Sequence, residues 1–249
     1  KTVPHTYRSA IRSGIEEWNK AFESAGWVNA IEVRQQLDGD DWDPEDIRYN
    51  TFRWITASAG FAMGPSRVNP RTGEILDADI IFDADFLQFW KEEFETLTPD
   101  EVAAMTGGPL EAEEIQRNTG STLLGVNQAK CILNRGMARQ LAFGASAILA
   151  NADPKVAAEQ QEKMIMQGLK EVAMHEVGHT LGLRHNFKAS KMLDLKQLNE
   201  KTGQALVASV MDYNPTNIVP KEWKQGDYYT TTLGPYDHWA IEYGYKPLS

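Results

Sequence analysis

The sequence is poor in three things, and each shortage narrows the field. It has a single cysteine, Cys131, in 249 residues, so no internal disulfide can form and packing must hold the fold. Cys131 sits among apolar neighbours and reads as an inert buried thiol. No apolar run approaches the ~20 residues that a membrane span needs. The nearest, "LAFGASAILANA" (141–152), reads as the end of a buried helix. Basic residues are also scarce: 25 Lys and Arg stand against 35 Asp and Glu, for a net charge of -10 and a pI near 5.0. That balance argues against nucleic acid, whose phosphates it would repel, and disfavours an anionic membrane face. Internal repeats and low-complexity segments are absent. The opening "KTVPHTYRSA" carries no apolar signal segment, so the chain is expected to be a domain of a longer precursor.

What is present reads as one ordinary globular domain, 42% hydrophobic and 24% charged. Ile11, Ile15, Trp18 and Phe22 form one apolar stripe at helical spacing, which Gly26 closes. "AIEVRQQL" (30–37) and "YNTFRWITA" (49–57) have strand character. Between them the acidic "DGDDWDPED" (38–46) lacks the alternating spacing of a calcium loop and reads as solvated. Residues 60–86 read as strand, turn, strand, with "NPRTGE" supplying the turn. From about 87 to 152 the pattern is helical. "TPDE" (98–101) is a capping box there, and Ile132, Leu133, Met137, Leu141 and Ile148 share one face. Asp153-Pro154 then opens a long helix through "KMIMQGLKEVAMHEVGHTLGL".

That helix carries the most specific stretch, "HEVGHTLGLRH" (175–185). His175 and His179 are four apart and project from one helical face, a spacing at which two neutral imidazoles chelate one zinc ion. Glu176 is angled to hold a water beside the metal and to act as general base rather than ligand. A catalytic zinc takes three protein ligands and keeps one open position. The third ligand is either His185 or the downstream Glu200 in "QLNEK". Gly182 favours His185, because a glycine with positive φ ends the helix and turns the chain back. From this chain's own composition the full pattern arises by accident on the order of 10⁻⁵ times per chain, which sets chance aside.

With "SVMDY" (209–213) added, the sequence resembles the metzincin clan of zinc endopeptidases. The resemblance implies an α+β, zincin-like catalytic domain over residues 1–249: a twisted mixed β-sheet, an active-site helix and a C-terminal Met-turn subdomain. Residues 1–185 would form the upper part, with a helical insert at about 87–152, and 186–249 the lower part. Met211 would be the Met-turn residue beneath the zinc ligands. In astacin-like and serralysin-like members the tyrosine two residues on reaches the metal or the oxyanion, which implies Tyr213 as a transition-state stabiliser. "YRSAIRSGIEEWNKAFESAGW" looks like the clan's first helix and "LGPYDHWAIEYGY" (233–245) like its last. "GFAMGPS" followed by "DIIFDADF" is similar to an edge strand and its neighbour. Phe61, Ala62, Met63 and Gly64 are therefore expected to bind an extended substrate, and "NPTNIVP" (214–220) to wall the subsite beyond the scissile bond. Through "RYNTFRW", "NPRTGEI", "LRHNFKAS" and "SVMDY", the chain looks closest to a bacterial family of large-precursor zinc-dependent metalloproteases.

The resemblance implies one catalytic Zn2+, peptide-bond hydrolysis in a protein or peptide substrate, and a secreted or cell-envelope setting. Two rivals stay open: an inactive metzincin-like module that binds peptides or scaffolds a larger protein, and a zinc hydrolase of a non-peptide amide. Matrixins bind Ca2+ near the positions of Asp83 and Asp85; here both read as solvated turn residues and calcium is unsupported. Only "KTVPH" stands where the clan's first strand precedes the first helix, so the sheet is expected to be one strand short. His5 and His238 lie outside any ligand spacing and are expected to be structural or exposed.

Overall fold

A computed structural model describes residues 1–56, 62–63, 66–83, 87, 133–151, 153–220 and 222–247. Helix α1, Arg8–Ser24, forms where the apolar stripe predicts it and buries Ile11, Trp18, Ala21 and Phe22. It stops at Gly26, whose φ of +97° lets Trp27 N donate back to Phe22 O at 2.9 Å. The "NPRTGE" turn closes with Asn69 N donating to Glu74 O and Gly73 N to Asn69 O, both at 2.8 Å.

The turn feeds the central strand of a small mixed sheet. Strand β1, Thr51–Ile55, runs parallel to β4, Ile75–Asp83. On the opposite edge of β4, β2 (Ala62–Met63) and β3 (Ser66–Val68) run antiparallel. Met63 pairs with Ile81 and Ser66 with Ala78, so both keep one register until a bulge at Arg67/Val68. Trp54, Ile80 and Phe82 bury one face, with Tyr7 stacked on Trp54 at 5.7 Å.

Two further helices follow. Helix α2, Leu133–Asn151, buries Met137, Leu141, Ala145 and Ile148; Ile132, "TPDE" and Cys131 lie outside the described residues. Helix α3, Pro154–Thr180, starts as its sequence predicts, with Asp153 accepting from Lys155 N and Pro154 in the first turn. It packs against α1, α2 and β4, and residues 171–178 are all buried. A helix enclosed on every side is normally apolar throughout. This one buries Glu171, His175 and Glu176, which must be compensated by specific partners. The last helix, α4, is Pro235–Tyr245 and buries Asp237 and Ile241. Trp18, Met174, Met211 and Ile241 are fully buried around the α1–α3–α4 junction, each contributing about 2 kcal/mol through removal from water.

Two expectations need correction. Residues 30–37 form no strand. Side chains of α1 take their backbone groups instead: Asn19 bonds both Ile31 O and Ile31 N (2.8 and 2.9 Å), and Arg12 donates to Val33 O at 2.9 Å. A cleft of about 880 Å³, lined by Ile15, Val33, Trp42, Phe52 and Val177 among others, separates this segment from β1. Asp83, read as a solvated turn residue, is fully buried as the last residue of β4, paired with Ile55; Asp85 lies outside the described residues. Among the described residues no helix is long and apolar enough to cross a membrane.

Candidate metal centre

One helical turn separates His175 from His179 on α3, and the chain doubles back immediately afterwards. Gly182 has φ +90°, and Leu183 N donates to Gly178 O at 2.9 Å. That reversal brings His185 beside the other two imidazoles, with ring centroids 4.8 Å (175–179), 4.7 Å (179–185) and 5.3 Å (175–185) apart. One ligand atom from each of the three lies within 4.8 Å of the others, the one such group among the described residues. Glu200, the rival third ligand, is exposed after a 3-10 turn and belongs to no such group.

The ring protons are committed elsewhere. His175 Nδ1 donates to Val210 O at 2.7 Å, and His179 Nδ1 to Leu183 O at 3.0 Å. A carbonyl only accepts, so each Nδ1 carries the proton and each Nε2 of the neutral ring offers a lone pair. Burial holds the rings neutral. It pushes His175 well below the usual histidine range, aided by His179; it lowers His179, and it brings His185 to about 4. His179 Nε2 stands 3.1 Å from His185 Nε2. Tetrahedral ligands ~2.1 Å from a zinc ion stand ~3.4 Å apart, close to the separation of this pair, and the three neutral imidazoles converge on one point as a zinc site needs.

Beneath the histidines runs the turn bearing Met211. Asn186 N donates to Met211 O at 2.9 Å, Ala208 N to Ala189 O at 3.0 Å, and Met211 N to Ser209 Oγ at 3.1 Å. Met211 is fully buried and presses on Gly178, where a Cβ would lie 2.4 Å from Met211 Sδ and 3.0 Å from Trp18 Cζ2. The glycine inside "HEVGH" thus provides the room for the methionine. From α4, Asp237 takes Ser209 Oγ at 2.6 Å and the amides of Val210 and Gly234 at 2.9 Å.

The other expected residues fall as follows. Glu176 is fully buried on α3, one residue after His175. The Tyr213 hydroxyl lies 3.0 Å from His185 Nε2, with its ring 5.6 Å from His175's. Ala62 and Met63 pair with Phe82 and Ile81 as β2, the end of the ladder among the described residues; Phe61 and Gly64 lie outside them. His5 is exposed and His238 half-buried in α4.

Sequence reading missed Glu171 and Asp237. Glu171 precedes His175 by the same four residues that separate His175 from His179, which puts a further polar group on the face of the histidines, and this was the available signal. Asp237, an acid in the first turn of a helix, carries no such signal in the sequence.

Residues 157–249 match the model of a family described as Met-zincin. No curated protein and no solved structure matches the chain. The matched stretch holds nearly all of α3, the Met211 turn and α4, hence the whole histidine cluster, and by that stretch the chain is similar to the Met-zincins.

Proposed function

We propose that the chain is a zinc-dependent endopeptidase that hydrolyses peptide bonds with an activated water. The observation that carries this reading is the convergence of three neutral imidazoles, with Glu176 following the first of them on the same buried helix. Nε2 of His175, His179 and His185 would hold the zinc ion, which would polarise the scissile carbonyl and lower the pKa of a water. Glu176 accepts the proton from the attacking water and returns it to the departing amine. Tyr213 directs its hydroxyl toward the oxygen where charge develops, a donor whose contact with His185 keeps it oriented before the reaction. Val210 O and Leu183 O fix the tautomers of His175 and His179, so those rings do not reorient on metal binding.

Likeness to the Met-zincins supports zinc and proteolysis together. The expected edge strand β2, a protein or peptide substrate and an extracytoplasmic setting belong to the same reading. The test combines elemental analysis with incubation of an unstructured protein, with and without a chelator. The expected result is one zinc per chain, chelator-sensitive cleavage, and a Glu176→Ala variant that keeps zinc but does not cleave. Near-normal cleavage by Glu176→Ala would overturn the mechanism. Zinc and peptide binding with no cleavage by the unaltered chain would favour a non-catalytic module.

A further inference from the structure

Four residues before His175, on the same face of α3, the Glu171 side chain is buried at 3% exposure. Its Oε1 accepts a hydrogen bond from Asn214 Nδ2 at 2.8 Å. Its Oε2 is buried with no hydrogen-bond partner, and so is Asn214 Oδ1. A half-satisfied polar pair in a core is a poor stabilising device, since two apolar side chains of similar volume pack there without orphaned atoms. Geometry gives the pair a different use. Asn214 directly follows Tyr213, whose hydroxyl stands beside the metal ligands, and the Glu171–Asn214 bond ties that segment to the helix bearing His175 and His179. On the other flank, Asp212 accepts from Ser190 N and from Tyr213 N, each at 2.8 Å. Tyr213 therefore sits between two carboxyl-anchored neighbours.

We propose that Glu171 is a positioning residue of this site: through Asn214 it fixes the segment that holds the Tyr213 hydroxyl beside His185. The proposal rests on the reading of Tyr213 as an oxyanion donor. Burial, reinforced by the nearby Asp212 and partly offset by Asn214, raises the Glu171 carboxyl to about 8. The group is then a neutral acid at neutral pH, which a glutamine imitates and a leucine does not.

The zinc-loaded full chain tests this with Glu171→Gln, Glu171→Leu and Asn214→Leu. Three readouts are compared: kcat and KM on a peptide, zinc content, and the titration of the Tyr213 phenol, taken by ultraviolet difference against Tyr213→Phe. Glu171→Leu is expected to lower kcat on the order of tenfold to a hundredfold with little change in KM and full zinc, as a misplaced catalytic group does. The Tyr213 titration should shift in the same variant, and Glu171→Gln should restore both. Asn214→Leu breaks the same bond from the other side, so it decides the matter if Glu171→Leu does not fold. Unaltered kcat and unaltered Tyr213 titration in a folded leucine variant would overturn the proposal, as would a glutamine variant as impaired as the leucine one. If the unaltered chain cleaves no peptide, the endopeptidase reading fails on its own, and the Tyr213 titration still decides the role of Glu171.

Discussion

The imidazole of His175 donates its Nδ1 proton to Val210 O across 2.7 Å, and the amide of that same Val210 donates to Asp237 Oδ2 across 2.9 Å. A carboxylate on the last helix therefore orients a candidate metal-ligating imidazole on the long one through a single residue of the Met211 turn. Asp237 also holds Ser209 Oγ and Gly234 N. Asp237→Ala leaves three donors without their acceptor. The expected cost is about 3 kcal/mol of stability, with zinc affinity lowered about 10- to 100-fold. Thermal unfolding and a zinc competition titration measure the two effects separately.

Gly178 and Met211 test how tightly the turn packs. A Cβ at Gly178 lies 2.4 Å from Met211 Sδ and close to Trp18, both fully buried. Gly178→Ala should destabilise by about 1–3 kcal/mol through overpacking. Shortening the methionine should relieve part of it, so Gly178→Ala combined with Met211→Ala costs less than the two changes added. Denaturant unfolding of the four proteins in this cycle gives the coupling.

Glu171 makes a contribution of definite sign to the pH dependence of stability. Its folded-state value, raised by burial to about 8, exceeds the usual 4.5 of an unfolded chain. Between those values the folded chain holds a proton on Glu171 that the unfolded chain has released, so the contribution of Glu171 to stability is full below about 4.5. It then falls toward pH 8 by up to ~1.4 kcal/mol per pH unit. Glu171→Gln removes that slope. Its unfolding free energy minus that of the unaltered chain should therefore grow from pH 5 to pH 8, and a constant difference across that range would refute the assignment.

Metal removal gives a further prediction. A ligand that binds only the folded chain stabilises it by about 2.7 kcal/mol at a hundred times its Kd. Chelation should lower the melting temperature and re-addition of zinc should restore it. His185→Ala should lose most of this response, because it removes one of three converging nitrogens. Calorimetry with and without chelator reads both.

Which of these features were legible in the sequence depended on distance along the chain. The histidine site was legible because its determinants are local: a four-residue helical spacing, and a glycine at 182 that ends the helix with φ +90°. Helix α1 and the turn before β4 were legible for the same reason, through period, proline and glycine. Residues 30–37 were misread because Asn19 and Arg12, 12 and 21 residues from their partners, take the backbone groups a neighbouring strand would have used. Asp83 was misread because its charge suggested solvent, while its pairing with Ile55 carries it into the core. Glu171 acquires a role only from Asn214, 43 residues away, and no local pattern announces such a partner.

Tyr213→Phe separates binding the metal from using it. The change removes one hydroxyl and keeps the ring, which packs against His185 at 4.7 Å and Phe187 at 5.2 Å. The three imidazoles and their Nδ1 bonds to Val210 and Leu183 are untouched, so zinc content and melting temperature should stay close to those of the unaltered chain. In the proposed reaction, what is lost is one donor toward the developing oxyanion. Removing such a donor typically lowers kcat about 10²- to 10³-fold. The loss should fall on kcat rather than KM, because the interaction strengthens only as charge builds on the oxygen. A phenylalanine variant with full kcat would mean that the hydroxyl 3.0 Å from His185 Nε2 serves the ligand alone, and the oxyanion would need another donor. Steady-state kinetics on one peptide, with zinc measured on the same preparation, distinguishes the two outcomes.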